Sequence, residues 1–148
     1  LTSTTHGAEM CGMGAFVETI KVYRQQNVVE HLWNYGEKLI NGMNAIACEL
    51  GVAENFNVCG IPCSPNYLTK DKNGEVSMGL RTLFSQEMIK NGVLMPWIAI
   101  SLAHGEAELE KTLEATRKSL QVYARAVVDG YEKYLQGEVI KPVFRKYN

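Results

Sequence analysis

The chain has 148 residues, 46% of them hydrophobic and 21% charged, with a formal net charge of −1. That is the size of one domain built on a single core. The scattered lysines and arginines give no basic footprint for nucleic acid and no polybasic patch for a membrane. No apolar run approaches the roughly 18 residues of a spanning helix, and no charged-then-apolar leader opens the chain. The expected location is therefore cytoplasmic, with Cys11, Cys48, Cys59 and Cys63 as reduced thiols.

In chain order, Met13, Phe16, Val17, Ile20 and Tyr23 recur at steps of three and four, which predicts an amphipathic helix over residues 10–23. Gly12 and Gly14 near its start would let another backbone come close. The stretch Asn27-Val-Val-Glu30 has the form of a capping box. Behind it Leu32, Tyr35, Leu39, Met43, Ile46 and Leu50 make one stripe that Gly51 ends. Residues 56–59 and 66–69 read as short strands broken by Gly60, Pro62 and Pro65. The Asp71-Lys-Asn-Gly74 turn then returns residues 75–77 as a hairpin partner.

A third helix is predicted over residues 79–90, with Leu80, Leu83, Phe84 and Met88 inward and Asn91-Gly92 as its stop. Residues 93–95 and 98–102 read as strands around Pro96. The last helix opens with Glu106 and Glu108, where carboxylates suit the dipole, and ends at Gly130. Its inward stripe is Leu109, Leu113, Thr116, Leu120, Tyr123 and Val127. Residues 131–148 read as a docking arm with little regular structure. Together these elements predict an α+β domain, helices layered on a small, mainly antiparallel sheet.

Chemistry is sparse. His6, His31 and His104 are the three histidines, and no Gly-x-Ser-x-Gly elbow accompanies them. A triad drawn from sequence neighbours lacks the required geometry, so no catalytic residue is assigned. His31, after Glu30 in a helix, is expected at the surface. Cys59 and Cys63 have three residues between them and no second ligand pair, so no metal is expected and the thiols read as small buried hydrophobes. The opening Ser3-Thr-Thr-His-Gly-Ala-Glu9 leaves two readings open. Thr4 or Thr5 caps the helix, or the hydroxyls, the glycine and the free N–H groups of a helix start cradle a phosphate.

STTHGAEMCGMGAFVETI resembles the segment that follows the cofactor-binding lysine in class III pyridoxal-phosphate aminotransferases, most of all the glutamate-1-semialdehyde aminomutase-like branch. LRTLFSQEMIKNGVLMP and ISLAHGEAELEKTLEATRKSL resemble later segments of the same family, in the same order. The resemblance implies the C-terminal small domain of a fold type I enzyme. Residues 1–26 would be a phosphate-contact turn and connecting helix, and residues 27–148 the small domain. It further implies that Thr5, with Thr4 one residue away as the fallback, hydrogen-bonds the phosphate of pyridoxal phosphate held by the other subunit of a homodimer.

Because the chain opens at Leu1, the cofactor-binding lysine would lie upstream, and this piece alone would be catalytically incomplete. Its partners would be its own large domain, a second copy of the complete enzyme and small amino and keto substrates, with neither nucleic acid nor membrane among them. Two readings from other classes stand beside this one: a non-catalytic interaction or dimerisation module, and an unrelated phosphate-binding α+β enzyme that uses the opening turn.

Overall fold

Four helices account for most of the chain in the computed structural model, which describes residues 9–141. They are α1 (Met10–Gln25), α2 (Val28–Glu49), α3 (Met78–Lys90) and α4 (Glu106–Asp129). Strands β1 (Phe56–Ile61) and β2 (Ser64–Thr69) form a two-stranded antiparallel sheet, so the domain is α+β as expected.

The predicted stripe of α2 is the side that reaches the core. Tyr35, Leu39, Met43 and Ile46 are buried, with Leu32 and Leu50 half-buried at the ends. Gly51 follows at φ 69°, the left-handed position at which a β-carbon is unfavourable. The expected capping box is not formed. Asn27 has φ −69° and ψ 57°, outside the extended conformation that aims a capping side chain, and its side chain caps nothing. Capping occurs at α3 and α4 instead. Ser77 Oγ accepts from Leu80 N–H at 3.2 Å, and the Glu108 carboxylate accepts from Gly105 N–H at 2.8 Å.

The hairpin pairs Phe56 with Thr69 and Ile61 with Ser64, leaving Pro62 and Cys63 as the turn. Phe56, Val58, Tyr67 and Thr69 point inward by the two-residue period of a strand. Helix α2 acts as a further neighbour for β1. The Asn44 amide donates to Val58 O and accepts from Val58 N–H, both at 2.8 Å. At the turn, Gly36 of α2 lies so near the hairpin that a β-carbon there would run into the Pro62 carbonyl oxygen.

Helix α3 lies between α4, β2 and the C-terminal arm and is buried on most sides: besides Leu80, Leu83, Phe84 and Met88, it buries Thr82, Ser85 and Glu87. The Tyr131 ring covers Gly79, where no side chain would fit. The described part of the arm docks on its own domain: Gln136 N–H donates to Gln86 Oε1 at 2.7 Å, and Ile140 N–H donates to Thr82 Oγ1 at 3.0 Å.

Three expected strands are absent among the described residues. Residues 75–77 contribute one bridge, Lys70 to Val76, and residues 93–95 and 98–102 are irregular. Pro96 cannot donate to a ladder. The carbonyls of Met95 and Pro96 also face the Tyr67 hydroxyl, at 3.4 and 3.2 Å, rather than a strand.

The core is centred on rings. Phe56 lies 4.7 Å from Phe84, 5.9 Å from Tyr123 and 6.1 Å from Tyr67, between ring centres. Tyr67 and Tyr123 are fully buried, yet each hydroxyl finds a partner. The Tyr123 hydroxyl donates to Asn55 O at 2.8 Å. Burial pushes the Tyr123 phenol well above the ordinary tyrosine value near 10.

Two outcomes follow for stability. Gly36→Ala forces α2 from the hairpin turn and should cost about 1–3 kcal/mol in urea unfolding. A wild-type midpoint in that variant would show that the turn is not held there. A phenol whose folded pKa is raised contributes stability that is intact below the ordinary tyrosine value and lost as pH rises through it. Stability should therefore fall above a pH of about 10, with a shallower slope for Tyr123→Phe.

Candidate functional site

The irregular segment between α3 and α4 crosses the first half of α2. Its course is set by Arg81 and Tyr67. The Arg81 guanidinium lies 4.1 Å above the Tyr67 ring, and Nη1 donates to Tyr67 O at 2.8 Å. Nη2 reaches Pro96 O at 3.4 Å. Held in this way, Met95 and Ile98 turn inward while Leu94 and Trp97 stay 80% and 67% exposed.

Beneath the segment is an apolar cavity of about 110 Å³, lined by Leu39, Val93, Met95, Ile98, Ile100 and, at one end, Tyr35. Tyr35 stands between two imidazoles, with its ring centre 6.0 Å from that of His31 and 5.8 Å from that of His104. On this side lies a larger, open hollow of about 310 Å³ whose walls include His31, Asn34, Tyr35, Lys38, His104 and Glu106. Lys38 and Glu106 form an ion pair at its rim.

The chemistry of these groups is constrained by their partners. Nδ1 of His104 accepts the Ser101 N–H at 3.0 Å, so in the neutral ring the proton resides on Nε2. Ser101 Oγ is also 3.0 Å from Nδ1, but a nitrogen already filled by a backbone donor is a poor base for that hydroxyl. His104 therefore secures the turn before α4 and presents an N–H on its other side. The Tyr35 phenol is raised above its ordinary pKa by burial, then by the negative charges of Glu108 and Glu106.

The sequence-predicted residues fall in several places. Thr4, Thr5 and His6 lie outside the described residues. His31, expected at the surface, is half-buried, and its Nε2 is shut from solvent with no hydrogen-bond partner among the described residues. Cys59, expected to be buried, is exposed because it alternates outward from Val58 along β1, and Cys63 is half-buried in the turn. All four thiols are free. Among the described residues no group of three or more His, Cys, Asp or Glu is placed to hold a metal. No helix among them is long and apolar enough to cross a membrane.

Helix α1 is the anomaly. It has no buried residue, and Met10, Met13, Phe16 and Val17 are each at least half exposed. A β-carbon at Gly14 would meet nothing within 4 Å. For pyridoxal phosphate, the described residues do not form a cradle: no lysine lines the apolar cavity, and the described lysines are all exposed or half-exposed. No step through that cofactor is derived from them.

No family model matches the chain. Over 119 residues, 69% of this chain, it is 30% identical to glutamate-1-semialdehyde 2,1-aminomutase of Archaeoglobus fulgidus. It is 28% identical over 109 residues, 66% of this chain, to the protein of that name from Clostridium tetani. The chain spans about a quarter of the length of these relatives, 27% and 26%. In fold it is similar to the FumI protein of Sphingopyxis sp. MTA144, described as a PLP internal aldimine form. The TM-score is 0.68 at 22% identity, covering 79% of this chain and 28% of that one. In sequence and in fold, this chain is similar to the C-terminal part of a class III pyridoxal-phosphate enzyme of the glutamate-1-semialdehyde aminomutase-like kind.

Proposed function

We propose that the chain is the small-domain part of a pyridoxal-phosphate-dependent aminotransferase or aminomutase. The complete enzyme exchanges an amino group between an amino acid and an aldehyde or keto compound in the cytoplasm. Pyridoxal phosphate, when bound to it, supplies the electron sink for that exchange. Residues 27–148 form the small domain, and residues 1–26 connect it to a large domain that carries the cofactor-binding lysine. Thr5, or Thr4 beside it, donates its hydroxyl to the cofactor phosphate across a homodimer interface. His6 needs no part as a base.

The observation that carries this reading is the sequence likeness to the two aminomutases. The bare apolar side of α1 supports it: Met13, Phe16 and Val17 resemble a face that a larger assembly covers. The chain then works as half of a site. Its small domain provides wall and its α1 provides contact surface, while the chemistry awaits the other half.

Mixed with pyridoxal phosphate near neutral pH, the 148-residue chain should develop no saturable lysine-imine absorbance and transfer no amino group. A stoichiometric imine would contradict the reading. The α1 face gives a second outcome. Phe16→Ala should change unfolding stability by less than about 0.5 kcal/mol, since that ring is 66% exposed. Phe84→Ala, in the aromatic core, should cost about 3–5 kcal/mol. Equal losses would mean that α1 belongs to the domain's own core.

A further inference from the structure

Helix α1 carries an ordered pattern as well as a bare apolar side. At 3.6 residues per turn, Met10, Met13, Phe16, Val17, Ile20 and Tyr23 share one face about 140° wide. The same face begins with the N-cap residue Glu9 and ends with Arg24. Glu18 and Lys21 are paired with each other at 2.6 Å outside it. Among the described elements α1 touches only α2, and none of its residues is buried, so the domain leaves this face open.

The order of residues along the face is a palindrome. About the point between Phe16 and Val17, Phe16 maps onto Val17, Met13 onto Ile20, Met10 onto Tyr23 and Glu9 onto Arg24. A two-fold axis demands this pattern, because residue i of one copy meets residue j of the other and j meets i. Two antiparallel α1 helices would set apolar groups on apolar groups and an acid against a base at both ends. Their dipoles would also oppose one another. A parallel pair would bring Glu9 against Glu9 and Arg24 against Arg24. Beside the face, a β-carbon at Gly14 would meet nothing within 4 Å, so no contact within the domain asks for a glycine there. A backbone approaching from another copy would.

We infer that α1 pairs antiparallel with α1 of a second copy of this chain, about a two-fold axis between Phe16 and Val17. Charge selects this partner and this direction, since only the antiparallel arrangement joins Glu9 to Arg24 twice. The 16 residues of α1 give a seam about 24 Å long, short for an obligate dimer, so the association is reversible and concentration-dependent. In dilute solution the chain is a monomer, and Phe16→Ala then leaves its unfolding stability near that of the wild type. The pairing needs neither a cofactor nor the opening turn, so its failure and that of the amino-transfer reading are told apart.

The test is sedimentation equilibrium of the 148-residue chain from about 1 μM to 1 mM, where a monomer–dimer equilibrium is expected. Phe16→Ala, at the axis, should weaken it at least roughly tenfold. Glu9→Arg or Arg24→Glu alone sets like charges together at both ends and should weaken it by roughly tenfold. Mixing those two single variants restores an acid against a base at each end, so the mixture should dimerise about as well as the wild type. All three residues are exposed, so the variants keep the fold. A chain that stays monomeric at the highest concentration leaves the face to a different domain and overturns the inference. It is equally overturned by a dimer that Phe16→Ala does not weaken, or by a mixture no tighter than either single variant.

Discussion

Everything in this domain is arranged around the requirement that two fully buried tyrosine hydroxyls be satisfied. Phe56, Tyr67, Phe84 and Tyr123 form one ring cluster, each neighbouring pair worth about 0.5–1.5 kcal/mol beyond burial. Enclosed phenol hydroxyls are costly to leave without partners. Tyr123 takes the Asn55 carbonyl and so ties α4 to the loop before the sheet. Tyr67 takes the Met95 and Pro96 carbonyls and so ties the sheet to a segment with no ladder of its own. Arg81 over the Tyr67 ring fixes that segment from the outside. The course of residues 93–105, and with it the position of His104, is thus a consequence of the core.

Helix α2 then gives the domain its second constraint, close approach. Gly36 admits the Pro62 carbonyl, and Asn44 closes two hydrogen bonds on Val58. The helix therefore serves as a stand-in strand along β1 while its first turns meet the 93–105 segment. Tyr35 sits where these two roles join and lines both the cavity and the hollow beside it. One residue borders both spaces because the helix is pinned at the next position.

How much of this was legible in the sequence depended on whether a pattern was local. The stripes of α2, α3 and α4 were read correctly because the 3.6-residue period reports burial directly, and Gly51, Gly92 and Gly130 end them at positive φ. The two strands were read, each two residues short at the turn between them, while the hairpin expected through Asp71–Gly74 yields only the Lys70–Val76 bridge. The apolar runs around Pro96 were misread as strands because strand formation needs a neighbour, and hydropathy carries no information about one. Asn27 had the identity of a cap without the backbone conformation. The open hollow was invisible for a related reason: Tyr35 looked like one more core position, and its pairing with His104 joins residues far apart in the chain. For the opening turn, residue chemistry favours the cap, and a family resemblance favours the cradle.

A domain with its own aromatic core nevertheless carries a helix, α1, with an apolar face and no buried residue. The part of the chain that aligns spans about a quarter of its relatives' length. The most direct test is to read the coding sequence upstream of Leu1 in the transcript. The account predicts an in-frame large domain bearing a cofactor-binding lysine shortly before Thr5. A stop codon in that frame with no such domain would contradict it.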